Sequence, residues 1–268
     1  MKIKSQIDFT YLSEVAKNAA IAGGEAIMNV YTSEDFGIEQ KADNSPLTIA
    51  DQNAHMAIID VLKSTKIPVL SEEGKNISFE VRKKWSIFWM VDPLDGTKEF
   101  IKRNGEFTVN IALIKNDKPV LGVVFTPVLD KLFFGGSALG GAWMVNGSKE
   151  KKLLASEELS LNKLKFKDGV RIVASRSHRN ADTDTFIGEC ESAQIVSMGS
   201  SLKFLVVAEG NADIYPRFAP TMEWDTAAAD GVLRGLGYNV LQVVDNNPTL
   251  IPLEYNKQNL LNPHFIVY

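Results

Sequence analysis

The chain is 268 residues long, 45% apolar and 23% charged, with a formal net charge of −4. These values fit a globular protein built as one large domain or two packed smaller ones, and they lack the basic footprint of a nucleic-acid binder. A lone cysteine, Cys190, rules out an intrachain disulfide and points to a reducing compartment.

The first residues lack the unbroken apolar core of a signal peptide, and no apolar run approaches a membrane span. The expectation is a cytoplasmic protein without an integral membrane segment. Peripheral contact with the inner membrane face stays open, as does the choice between monomer and homodimer.

In chain order, residues 10–31 carry Leu12, Val15, Ala16, Ala19, Ala22, Ile27 and Val30 mostly at three- and four-residue steps, which predicts a core helix. Asp43-Asn44-Ser45-Pro46 is turn chemistry. A second helix follows, with Ala50, Ala54, Ala57, Ile58, Val61 and Leu62 on one face and Asp51 in its first turn. An acid there is favoured by the helix dipole whatever else it does. Ile67-Pro68-Val69-Leu70 predicts a short strand that ends on Glu72 and Glu73.

The densest signal comes next. Ile87 to Val91 is an apolar run that predicts a buried strand. Pro93 cannot donate to a ladder, so the strand is expected to stop at Asp92. Asp95 stands three residues on and Gly96-Thr97 follows. Acidic oxygens suit a hard cation, and a turn opening a helix suits phosphate. Asp-Pro and Asp-Gly are also ordinary turn dipeptides, so this stretch alone fits either a ligand pair or a solvated turn. Two acidic strand ends in one chain favour a site, because ligand groups gather beyond strand ends in α/β sheets.

Residues 107–114, 119–125, 131–134 and 142–145 predict an antiparallel meander. The texture turns polar at Lys149 to Lys152, which sets an expected boundary between an N-terminal α+β part, 1–147, and a C-terminal α/β part, 148–268. There, strands and helices alternate: extended at 171–174, 194–196, 212–215, 239–243 and 265–268, helical at 182–191, 202–208 and 226–236. Four polar spots lie at the strand–helix junctions: Ser175 to His178, Gly199 to Lys203, Tyr215 to Phe218, and Glu223 to Ala228. Each has a plain reading as a cap or solvated turn, and each lies where α/β proteins build sites.

With Glu72-Glu73, Asp92 to Thr97 and Trp224-Asp225 in view, the chain resembles the lithium-sensitive, magnesium-dependent inositol monophosphatase superfamily. Within it, residues 41–51, 92–113, 175–178 and 199–204 are most similar to the bacterial 3'(2'),5'-bisphosphate nucleotidases. The resemblance implies a layered αβαβα sugar-phosphatase sandwich, α+β in its first half and α/β in its second, with the site between two subdomains. It implies hydrolysis of 3'-phosphoadenosine 5'-phosphate to AMP and phosphate, a step of sulfur assimilation and nucleotide recycling. Two or more Mg²⁺ ions per site are implied. Glu72, Asp92 and the Leu94 carbonyl would hold one ion; Asp92, Asp95 and Asp225 would hold a second. Asp51 and Thr97 match the pair that takes the proton from the attacking water, and the Gly96 and Thr97 N–H groups would receive the scissile phosphate. Ser175, His178, Gly199 and Lys203 match positions that bind the nucleotide, with Arg217 beside them. The alternatives are inositol monophosphate or fructose 1,6-bisphosphate as substrate, or a silent Mg²⁺- or nucleotide-binding module.

Overall fold

The structure, a computed structural model, describes residues 7–33, 37, 39–40, 46–155, 160–174, 180–245 and 247–268. Helix α1 (Phe9–Tyr31) is capped by Asp8, whose side chain accepts from the Tyr11 N–H. A small antiparallel pair, β1 (Glu39–Gln40) with β2 (Pro46–Leu47), leads into α2 (Ile49–Leu62). Strand β3 (Val69–Ser71), helix α3 (Phe79–Arg82), strand β4 (Ile87–Asp95) and helix α4 (Thr97–Ile101) follow. The meander is β5 (Thr108–Lys115), β6 (Lys118–Thr126), β7 (Lys131–Gly136), β8 (Gly141–Asn146) and β9 (Lys149–Lys152).

The strands β3 to β9 form one seven-stranded sheet in chain order, parallel only between β3 and β4. Both faces are covered, which is why β4 reads as an unbroken apolar run. Trp89 and Val91 pack with α1 and α2 residues such as Ala16, Ile27 and Ile58. Phe88 and Met90 pack into the opposite core, with Leu205, Ala228 and Val232.

One expectation needs correction here. Pro93 does not stop the strand: β4 continues to Asp95, with an irregularity in register between Asp92 and Asp95 opposite Asn110 and Thr108. A bulge leaves a residue out of the ladder, so a missing N–H costs nothing there. The polar Lys149–Lys152 stretch forms β9, an exposed edge strand; lysines on an edge discourage pairing with another chain.

The second half contains α5 (Leu161–Lys165), β10 (Arg171–Ala174), α6 (Ala181–Gly188), β11 (Gln194–Ser197), α7 (Leu202–Ala208), β12 (Tyr215–Arg217), α8 (Glu223–Gly235), β13 (Leu241–Val244), β14 (Asn247–Pro252) and β15 (Phe265–Val267). Its strands form a parallel pair, β10–β11, and an antiparallel sheet ordered β12-β15-β13-β14, joined through an isolated parallel bridge from Ile172 to Ile214. Leu164 of α5 and Phe186 of α6 cover the outer face with Ile172, Ile214, Val243 and Ile266. The layers therefore run α1/α2, seven-stranded sheet, α7/α8, second sheet, α5/α6, the alternation expected of an αβαβα sandwich.

Helix α8 can lie flat on the first sheet because both surfaces are small where they meet. A Cβ at Gly122 of β6 would stand 1.8 Å from the Ala228 carbonyl oxygen, and Gly231 lies against Gly122 from the helix side. This close approach brings the N-terminus of α8, with Asp225, to the end of β4.

Candidate active site

A cavity of about 270 Å³ opens where β3, β4, α7 and α8 converge, lined by Glu72, Asp95, Gly96, Thr97, Gly199, Ser200, Ser201, Lys203, Arg217 and Asp225 among others. Asp51 enters from α2. It is buried, and its Oδ2 accepts from the Thr48 N–H at 2.7 Å and the Thr48 hydroxyl at 2.6 Å, a capping box. Its Oδ1 accepts from the Thr97 hydroxyl at 3.2 Å. Cap and site contact coexist because a carboxylate has two oxygens.

The β4 end supplies the next groups. Asp92 is buried, and its Oδ1 accepts from the Leu94 N–H at 3.1 Å. The Leu94 carbonyl lies 3.3 Å from the Thr97 hydroxyl. Gly96 adopts φ +96°, a left-handed conformation that opens α4 at Thr97. Glu72 follows β3, its N–H bonded to the Val91 carbonyl at 3.1 Å. Asp225, at the third position of α8, accepts from the Met222 N–H at 2.8 Å through Oδ2.

Asp95 is the most heavily bonded. Its Oδ2 accepts from the Ser201 N–H at 2.6 Å, the Ser201 hydroxyl at 2.7 Å and the Ser200 hydroxyl at 2.7 Å. Behind them, Thr108 Oγ1 lies 2.9 Å from Ser200 Oγ, and Asn110 Nδ2 donates to Ser201 Oγ at 2.9 Å. None of Ser200, Ser201, Thr108 and Asn110 stands among the expected site residues. The available signal was Thr108 and Asn110, two polar side chains on one face of an otherwise apolar strand, together with the serines of the Gly199–Lys203 stretch.

Electrostatics marks the same place. Burial first, then the charges of Glu72, Asp95 and Asp225, push Asp92 well above the usual carboxylate range. Burial and Asp95 do the same to Asp225. Among the described residues no three acids or histidines already stand around one point as a finished metal cage. The donor set nevertheless fits a hard divalent cation: oxygen ligands only, and buried like charges that a cation would offset.

Two cations, Lys203 and Arg217, line the same cavity. Lys203 is buried rather than solvated, with Nζ donating to the Ser200 carbonyl at 2.6 Å. Burial lowers its pKa to about 8, against the pull of Asp95. Arg217 donates through an Nη to the Pro220 carbonyl at 3.3 Å, and its buried Nε has no partner among the described residues. Gly199 is buried beside Glu106, close enough that a Cβ would stand 2.9 Å from a Glu106 carboxylate oxygen. Ser175 and His178 lie outside the described residues. Of the expected site residues that are described, the structure brings all ten to this one region, Asp51 touching it through Thr97.

The model of the inositol monophosphatase family matches residues 8–264. A 3'(2'),5'-bisphosphate nucleotidase CysQ of Shigella flexneri is 45% identical over 261 residues, which is 95% of this chain and 96% of that protein. A crystal structure of CysQ from Bacteroides thetaiotaomicron, described as a bacterial member of the inositol monophosphatase family, superposes with a TM-score of 0.82 at 45% identity and covers 98% of each chain. An inositol monophosphatase from Anabaena shares the fold, with a TM-score of 0.70 at 20% identity over 97% of this chain and 91% of that one.

Proposed function

The chain belongs to the inositol monophosphatase family, and from that premise we propose that it is a Mg²⁺-dependent phosphomonoesterase that hydrolyses 3'-phosphoadenosine 5'-phosphate to AMP and phosphate. The observation that carries the reading is the meeting of buried acids and cations in one cavity. Carboxylates of Glu72, Asp95 and Asp225 line it, with Asp92 buried beside them, and so do the cations Lys203 and Arg217. A substrate with two phosphates matches that pairing, one meeting the acids that would hold cations and one the basic side chains.

Glu72, Asp92 and the Leu94 carbonyl would hold one Mg²⁺; Asp92, Asp95 and Asp225 would hold another. When bound, such ions neutralise the phosphoryl oxygens and make water more acidic. The chain's own groups do the rest. Thr97 is the immediate proton acceptor for the attacking water. A hydroxyl is too weak a base alone, so its own proton passes along the 3.2 Å hydrogen bond to Asp51 Oδ1. The cap from Thr48 keeps Asp51 in place during that transfer. The N–H groups of Gly96 and Thr97 orient the scissile phosphate, and the P–O bond to the ribose 3' oxygen breaks as the water oxygen adds, the departing oxygen taking a proton from a second water to become the 3' hydroxyl of AMP. Lys203 meets the second phosphate, with Arg217 beside it. Gly199, Ser175 and His178 bind the nucleoside part, a role that rests on resemblance alone for the last two.

The test is phosphate release from 3'-phosphoadenosine 5'-phosphate, inositol monophosphate and fructose 1,6-bisphosphate, each with and without Mg²⁺. The expected outcome is Mg²⁺-dependent turnover with kcat/KM highest for the bisphosphate nucleotide by about tenfold or more, the scale of one well-made charged contact. Preference for a sugar phosphate would favour the sibling activities. No turnover of any of the three would favour a silent binding module.

A further inference from the structure

Asp95 and Asp225 reach the cavity from different layers, the first from the end of β4 and the second from α8. Ser201 bonds to both. It is buried, its N–H donates to Asp95 Oδ2 at 2.6 Å, and its Oγ lies 2.7 Å from that oxygen and 2.8 Å from the Asp225 carbonyl. A hydroxyl has one proton and can serve only one of these acceptors at a time. Asp95 Oδ2 already takes the Ser201 N–H, with the Ser200 hydroxyl 2.7 Å and the Asn110 amide 3.4 Å away. The Ser201 Oγ thus bridges Asp95 Oδ2 and the Asp225 carbonyl, whichever takes its proton, while its own lone pair receives the Asn110 amide at 2.9 Å. Asn110 is fixed in turn by the Thr108 hydroxyl, which donates to its Oδ1 at 3.0 Å.

We propose that Ser201, oriented by Asn110, is a positioning residue of this site: its N–H holds the Asp95 carboxylate, its hydroxyl bridges that carboxylate to the first turn of α8, and together they set the separation of two carboxylates from different layers. Asp95 Oδ2 is thereby consumed, which leaves Oδ1 as the Asp95 oxygen for a cation. The inference rests on the reading that Asp95 and Asp225 hold a divalent cation. Partners that orient metal ligands typically contribute tenfold to a hundredfold in metal affinity when removed.

The experiment titrates Mg²⁺ against the thermal melting of wild type, Ser201→Ala, Asn110→Ala and the double variant, starting from chelator, with phosphate release measured in parallel. Ser201→Ala keeps the N–H and removes only the hydroxyl. The expected result is a Mg²⁺ midpoint of the melting shift raised about tenfold in each single variant. The double variant should be no worse than the more affected single one, because both changes break the same chain of bonds. Turnover at saturating Mg²⁺ should recover toward wild type, which a general loss of structure would not allow. If Ser201→Ala fails to fold, Asn110→Ala carries the same comparison. A Mg²⁺-responsive wild type whose variants respond at an unchanged midpoint would overturn the inference alone. A wild type with neither a Mg²⁺-dependent shift nor Mg²⁺-dependent phosphate release would remove the reading beneath it, and the inference with it.

Discussion

Asp51, Asp92, Asp95 and Asp225 each have one carboxylate oxygen bound by main-chain N–H groups of the fold: from Thr48, Leu94, Ser201 and Met222 respectively. Ordinary capping and turn chemistry thus does a second job, because tying one oxygen fixes the direction of the other. The sequence shows both jobs as competing readings, since a capping acid and a ligand look alike in one dimension. What it does not show is the bonding between Asp95 and Ser200, 105 residues apart, because no local pattern encodes a contact made only after two layers pack.

Lys203 also changes character on folding, from a solvated cation to a buried one with a pKa near 8. The charges that act on it are Asp95, Glu99 and Asp225, which favour its proton, and Arg217, which opposes it. Its ammonium is present below that value and lost above it. For the bisphosphate nucleotide, kcat/KM should therefore fall above about pH 8, approaching tenfold per pH unit. Lys203→Ala should raise KM for the bisphosphate nucleotide more than for a simple sugar phosphate and remove this alkaline fall. An unchanged pH profile in the variant would show that another group titrates.

Among elements, α8 decides the geometry of the site. The helix itself is legible from its 226–236 pattern, and the structure extends it back to Glu223, so Asp225 lies within the first turn. Its seat on the sheet is not legible, because it depends on glycines that face each other across 109 residues of chain: Gly122 and Gly231. Gly122→Ala would drive a methyl into the Ala228 carbonyl, and backbone cannot step aside as a side chain can. We expect a loss of about 2–3 kcal/mol in denaturant unfolding, together with reduced turnover as Asp225 is displaced. Wild-type stability would mean that α8 does not pack this closely. Strand β4 teaches the complementary lesson. A proline rule that holds inside a regular ladder fails at a bulge, and Asp92 and Asp95 flank this one.

For the whole molecule, composition and periodicity disclose the meander and the later alternation, and so the order of layers. They do not disclose that the later strands divide into two sheets, nor β14, whose two prolines and exposed Leu250 mask it as loop. Away from the cavity, the second half is held in part by Asp213, which pairs with Arg171 and Lys167 at 2.8 and 2.9 Å. Hydrogen bonds from Arg171 and Lys167, outweighing the opposing effect of burial, hold its carboxyl at about 2. Because this folded value lies below the ordinary one, the stabilisation is complete above about pH 4 and disappears as pH falls through about 2. Asp213→Asn should lower Tm at pH 7 by a few degrees, and the two proteins should converge at pH 2. A constant difference at all pH values would contradict the ion-pair origin.

The central claim is that acids separated by more than a hundred residues meet to hold divalent cations around a transferable phosphoryl group. Asp92 tests it most directly, since it is buried among the other three and its Asn counterpart keeps the acceptor for the Leu94 N–H. The measurement is Mg²⁺-dependent phosphate release by Asp92→Asn beside wild type, with melting of both in chelator. Turnover should fall by about 10³-fold or more, in a protein that melts at or above the wild-type temperature because a repelled buried carboxyl is gone. A folded variant that retains turnover within about tenfold of wild type would contradict the claim.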